Sequence, residues 1–148
     1  MERTGLVGPQ DLHLGPPAEA VAPLLDYALH LEAYEREACD RIARRGAELL
    51  GGKERVFTHC NAGALVTPGL GTALAPLYVL QARGEPLHVW VDETRPLLQG
   101  LRLTAYELGR AGIEHAVVGE GAAAGLFRRG RVDAVITGAD RVCRNGDV

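Results

Sequence analysis

No stretch of this 148-residue chain approaches the ~18 consecutive apolar residues that a membrane-spanning helix needs, so its chemistry is not organised around such a helix. It is equally poor in cysteine pairs. Cys39, Cys60 and Cys143 are odd in number and include no C-x-x-C spacing, which argues against a disulfide framework and a zinc knuckle and favours reduced thiols. An excess of positive charge is also missing. Sixteen Lys and Arg face nineteen Asp and Glu for a formal net charge of -3, where nucleic-acid binders present a clustered basic face. Arg41, Arg44 and Arg45 come nearest to such a cluster, but they alternate with Glu35, Glu37 and Asp40 and read as a solvated helix face. The first residues lack the basic-then-apolar plan of a signal peptide, being broken by Gly8, Gly15, Pro16 and Pro17. These absences leave the expectation of a cytoplasmic protein of ordinary apolar content, 47%, with no nucleic-acid or membrane partner.

What is present is an alternation of periods. Residues 1–18 sustain none and read as a flexible lead-in. Residues 19–52 read as a helical segment, with Val21, Leu24, Leu25, Ala28, Leu29 and Leu31 at three-to-four spacing and Tyr34, Ala38, Ile42 and Leu49 continuing the stripe. Pro23 starts or divides this helix, and Gly51-Gly52 stops it. From 53 to 148 short apolar runs alternate with helical ones, the pattern of βαβ units. The expected strands are Arg55 to His59, Leu87 to Val91, His115 to Val118 and Val132 to Thr137; helices are expected over about 71–83, 100–111 and 121–129, each closed by glycine. The fold class is therefore α/β: an amino-terminal helix followed by half of a Rossmann-like parallel sheet, four strands in the order 3-2-1-4.

That order makes strands one and four neighbours and puts the residues that follow them on one crevice, where open α/β sheets bind ligands. Thr58-His59-Cys60-Asn61-Ala62-Gly63 follows the first strand, Asp92-Glu93-Thr94-Arg95 the second, and Gly138-Ala139-Asp140-Arg141 the fourth. Cys60 is read either as an inert buried thiol or as a thiolate favoured by loop N–H groups and the start of the next helix. Asp140 either pairs with Arg141 or, beside a thiol in a water-poor crevice, is a carboxyl group of raised pKa that gives and takes protons. Gln99 either caps a helix or bonds a sugar hydroxyl. His59 is read either as a general base or, because it alternates with Cys60 and is expected on the opposite face, as a packed or capping histidine, the reading favoured; Trp90 and Phe127 are expected in the core. The glycines from Gly63 to Gly71 fit neither G-x-G-x-x-G nor the P-loop pattern.

At these residues the sequence resembles the methylthioribose-1-phosphate isomerase family, whose fold is shared with the regulatory subunits of eukaryotic translation initiation factor 2B. The resemblance lies in Thr58-His59-Cys60-Asn61-Ala62-Gly63-Ala64-Leu65, in Asp92-Glu93-Thr94-Arg95-Pro96-Leu97-Leu98-Gln99-Gly100 with Arg102-Leu103-Thr104-Ala105, and in Gly138-Ala139-Asp140-Arg141 with Asn145-Gly146-Asp147. It implies an aldose–ketose isomerase of methionine salvage that converts 5-methylthioribose 1-phosphate to 5-methylthioribulose 1-phosphate without metal or organic cofactor. Cys60 and Asp140 would be the catalytic pair, and Gln99, Asn61, Gly63 and Arg95 the substrate-binding residues. The family's members are longer, so the chain is expected to hold the catalytic pair without all of the substrate clamp, and to pair as a homodimer that covers an exposed sheet edge. Cys143 and Arg144 depart from the smaller or apolar residues the family leads one to expect there. Two other readings accompany this one: a non-catalytic module that senses a sugar phosphate or nucleotide, and an isomerase of ribose 1,5-bisphosphate.

Overall fold

The computed structural model describes residues 16–148, so most of the expected lead-in lies outside the described residues. The chain divides into two compact units, Met1–Ala38 and Cys39–Val148. Helix α1, Pro17–Leu50, passes from one into the other and runs through Pro23 without interruption. In the first unit its apolar side chains face outward, with Val21, Leu24, Leu25 and Leu29 all exposed, and the pairs Arg36–Glu32 and His30–Asp26 lie along its surface.

In the second unit the buried stripe of α1 is Cys39, Ala43, Ala47 and Leu50, not the Ile42 and Leu49 that the sequence suggested. Size explains the difference. A Cβ on Gly46 would collide with the ring of Pro76 in the helix that follows the first strand, so the small residues let the two helices approach more closely than a leucine stripe would.

Four strands follow: β1 (Arg55–His59), β2 (His88–Asp92), β3 (Glu114–Val118) and β4 (Ala134–Thr137). They form one parallel sheet in the order β3-β2-β1-β4, as the alternation of periods predicts. The connecting helices are α2 (Ala75–Ala82), α3 (Ala105–Arg110) and α4 (Ala123–Arg128). Each begins later than its apolar period. The first gives way to a loop containing the left-handed Gly69 and Gly71, the second to a π-helical turn over Gly100–Thr104, the third to a single 3-10 turn over Glu120–Ala122.

One face of the sheet carries Val56, Val89, Val91, Ala134 and Ile136 and packs on Leu74, Leu77, Leu80 and Leu108 of the helical layer. Burying such side chains is worth roughly 1.5–3 kcal/mol each, which makes this face the main source of stability. The other face is thinly covered. Phe127 of the short α4 stacks on Phe57 at 5.4 Å yet stays 45% exposed, and Trp90 is half-buried with its indole N–H donating to the Arg131 carbonyl at 2.9 Å. Neither belongs to the core expected of it, because six residues of helix cannot roof a four-stranded sheet.

Candidate active site

The strand order brings the carboxyl ends of β1 and β4 together, in register from Val56 and Ala134 to His59 and Thr137. Gly138 lets the two following loops close, since a Cβ there would stand 3.0 Å from the Ala62 methyl group. Between them lies a cavity of about 290 Å³ lined by His59, Cys60, Asn61, Thr72, Thr137 and Asp140 among others. Cys60, Asn61 and Asp140 thus meet on one hollow. A larger hollow of about 650 Å³ runs along the free side of β4 and shares Asp140.

Cys60 adopts φ 62°, a left-handed conformation that costs a residue with a side chain roughly 1–3 kcal/mol unless its surroundings enforce it. They do so from two sides. Its N–H donates to Thr94 Oγ1 at 2.8 Å, and Thr104 Oγ1 donates to its carbonyl at 2.6 Å. Thr94 and Leu98 share the left-handed conformation, so all three non-glycine examples among the described residues sit on this rim. The twist at Cys60 also ends the strand's two-residue alternation. His59, expected on the opposite face, therefore lines the same cavity as Cys60.

Behind the Cys60 loop lies a group that the sequence reading missed. Glu107, on α3 and 8% exposed, accepts hydrogen bonds from Asn61 Nδ2 (2.9 Å), the Ala64 N–H (2.7 Å) and the Tyr78 hydroxyl (3.1 Å). Burial and the neighbouring Glu107 push the Tyr78 phenol well up, which keeps it a donor. Gly63 is buried against this carboxylate and has no room for a Cβ, so it supports the loop and does not line the cavity. The available signal was spacing: Thr104, Glu107 and Leu108 fall on one helical face, and an acid on the core face needs partners.

Gln99 and Arg95 stand apart from the cavity. Gln99 precedes the π-helical turn with Oε1 buried and unpartnered, which leaves an acceptor to be satisfied. Arg95 reaches Glu93 at 2.8 Å with its side chain 71% exposed. Asp140 is solvent-exposed, not enclosed in the dry crevice expected for it, because β4 is the sheet's edge. The helix expected to favour the Cys60 thiolate begins only at Ala75.

Asp92, at the end of β2, is 2% exposed and lies 3.3 Å from His59 Nε2. Burial raises its pKa above the usual carboxylate range; His59 opposes the rise, and Glu120 and Glu93 add to it. Donor atoms of His59, Asp92 and Glu120 lie within 4.8 Å of one another, a grouping able to hold a divalent cation.

A thiol, an imidazole and a carboxyl group meet over the switch point of a parallel sheet, the place where open α/β folds bind ligands, and side chains of these kinds are able to exchange protons with one. The chain belongs to the initiation factor 2 subunit family, whose profile matches residues 18–148. Among curated relatives, the methylthioribose-1-phosphate isomerase of Gemmatimonas aurantiaca is 54% identical over 128 residues, covering 86% of this chain and 37% of that protein. That of Rhodopirellula baltica is 52% identical over 134 residues, covering 90% and 38%. Of solved structures, 5-methylthioribose 1-phosphate isomerase from Pyrococcus horikoshii superposes with a TM-score of 0.80 at 39% identity over 90% of this chain and 37% of its own. The delta subunit of translation initiation factor eIF-2B from A. fulgidus gives 0.76 at 38%, covering 86% and 37%. The chain spans less than two fifths of the length of these proteins. No helix among the described residues is long and apolar enough to cross a membrane.

Proposed function

We propose that this chain carries the catalytic pair of an aldose–ketose isomerase that converts 5-methylthioribose 1-phosphate to 5-methylthioribulose 1-phosphate. The observation that carries the reading is the meeting of Cys60 and Asp140 on one cavity across β1 and β4. The curated relatives bearing that enzyme's name support it.

Phosphate on the anomeric carbon blocks simple ring opening to an aldehyde. Asp140, exposed and able to exchange protons with water, protonates the ring oxygen as its bond to the first carbon breaks. Cys60, as thiolate, takes the proton of the second carbon, whose electron pair forms the double bond of an enol; returning that proton to the first carbon leaves the ketose. Asn61 and Gln99, each with a buried carbonyl oxygen lacking a partner, are the candidates to bind substrate hydroxyls. Arg95 belongs to this proposal only if substrate draws it from Glu93, and Gly63 acts through the shape of the loop. No step calls for a metal or an organic cofactor.

The test is a coupled assay on this chain with the sugar phosphate, run with Cys60→Ser and Asp140→Asn. Each substitution is expected to lower kcat by about a thousandfold with little change in melting temperature. Full turnover in either variant would overturn the assignment. The likeness to the delta subunit supports a second reading, a sugar-phosphate or nucleotide sensor. Calorimetric heat without turnover would favour it. Homodimerisation is also part of the proposal, because Val135 is 53% exposed beside the free edge of β4. Light scattering that reports a monomer would remove it.

A further inference from the structure

The isomerisation proposed above changes hydrogen at three places. The ring oxygen gains a proton, the first carbon gains what the second loses, and the hydroxyl on the second carbon must give up its proton to become a carbonyl. Cys60 and Asp140 account for two of them. The cavity has one other titratable side chain, His59.

Its setting suits a proton carrier. The ring is 45% exposed, Nε2 faces Asp92 Oδ2 at 3.3 Å, and Nδ1 has no hydrogen-bond partner among the described residues. Asp92 sits behind it, 2% exposed, with Oδ1 buried and unpartnered. Glu120 brings a further carboxylate oxygen within 4.8 Å of both, so the ring faces an acidic cluster. The ring is thus held against Asp92 through one nitrogen and keeps the other without a partner among the described residues, as a side chain that takes and passes a proton requires.

We propose that His59 is the third proton-transfer residue of the cavity, accepting the hydroxyl proton of the second sugar carbon, with Asp92 as its positioning residue. The inference rests on the isomerase reading. As the enol collapses, the O–H bond breaks and its electron pair becomes the second bond of the carbonyl. The electron pair of the carbon–carbon double bond takes the proton held by Cys60, and the proton on His59 returns through water to Asp140, which gave one to the ring oxygen. Atoms and charge balance over the cycle.

The test uses His59→Gln in the full chain, with circular dichroism to verify folding. Turnover is expected to fall about a hundredfold at unchanged KM. Independently of turnover, ¹³C-histidine NMR should show the His59 ring resonances displaced in Asp92→Asn, because the ring loses the carboxylate it faces at 3.3 Å. A His59→Gln variant with full kcat would overturn the proposal, as would His59 ring resonances that Asp92→Asn leaves in place. So would activity lost to EDTA and restored by a divalent cation, since His59, Asp92 and Glu120 would then be ligands. If the unsubstituted chain does not turn over the sugar phosphate, the isomerase reading fails and takes the catalytic step with it. The NMR comparison then shows whether the His59–Asp92 pair stands without it.

Discussion

At the amino ends of β1 and β4, Arg55 and Asp133 satisfy one another: the guanidinium reaches both carboxylate oxygens at 2.6 and 3.0 Å and the Gly130 carbonyl at 2.9 Å, and the Arg55 N–H adds a bond at 2.9 Å. At the carboxyl ends of the same strands and their neighbour β2, the chain keeps three left-handed residues, and Asn61, Asp92 and Gln99 each hold a buried oxygen without a partner. His88 Nε2, stacked near Trp90 at the far end, is the remaining buried polar atom of this kind among the described residues. One sheet thus concentrates satisfied charge where it needs stability and unspent hydrogen-bonding capacity where a ligand would arrive. Unfavourable local geometry of this sort persists when the surroundings enforce it, and it gathers at sites of function.

Glu107 backs the loop that follows Cys60, and replacing that residue has the largest expected effect on the contrast. In Glu107→Gln the new amide N–H₂ faces either Asn61 Nδ2 or the Ala64 N–H, both of which can only donate. Losing charge-assisted bonds and leaving buried donors unpaired costs about 3 kcal/mol, read as a lower midpoint in urea denaturation. Activity should fall with it, because the Cys60 loop loses its backing. A variant as stable as the original chain would show that the carboxyl edge is held by something else.

The sheet and the meeting of Cys60 with Asp140 were legible in the sequence because both follow from connectivity: β-branched runs bounded by glycine give the strands, and right-handed crossovers give their order. The face that His59 occupies was not legible. Its position depends on one backbone torsion at Cys60, a residue type that does not announce φ > 0 as glycine or asparagine would. The buried stripe of α1 was misread for a related reason, since the periodicity of leucines marks apolar residues and the closeness of packing at Gly46 and Ala47 is set by small ones. Helix starts failed where loops with their own hydrogen bonds, such as the Thr72 N–H to the Ala62 carbonyl at 2.9 Å, replaced the first helical turn.

Asp92 offers an intermediate effect of opposite sign. Its folded pKa is raised above 3.8, so the native state binds the proton more tightly than the unfolded chain; the stability this confers is full below pH 3.8 and is lost as pH rises through the folded pKa. At neutral pH, Asp92→Asn should therefore stabilise the protein by about 1 kcal/mol, a gain that fades in acid, while the His59 proposal has turnover falling. Denaturation midpoints at pH 7 and pH 3.5 measure the first, and the coupled assay the second. Destabilisation at pH 7 would mean that the acid is a structural anchor like Asp133.

Asp133 itself gives the smallest effect and the reversed pH dependence. The hydrogen bonds from Arg55 hold its pKa below 3.8, so its contribution is present above that value and disappears as pH falls through the folded pKa. Both side chains are partly solvated, 36% and 26% exposed, and solvent screens the pair. Asp133→Asn should lower the melting temperature slightly at pH 7 and not at all in strong acid. Turnover should be untouched, because the pair lies at the end of the strands away from the cavity. The two aspartates thus respond to acid in opposite senses. Were Asp133→Asn to impair catalysis at full stability, the division of labour between the two ends of the sheet would fail, and the amino edge would have to be counted as part of the site.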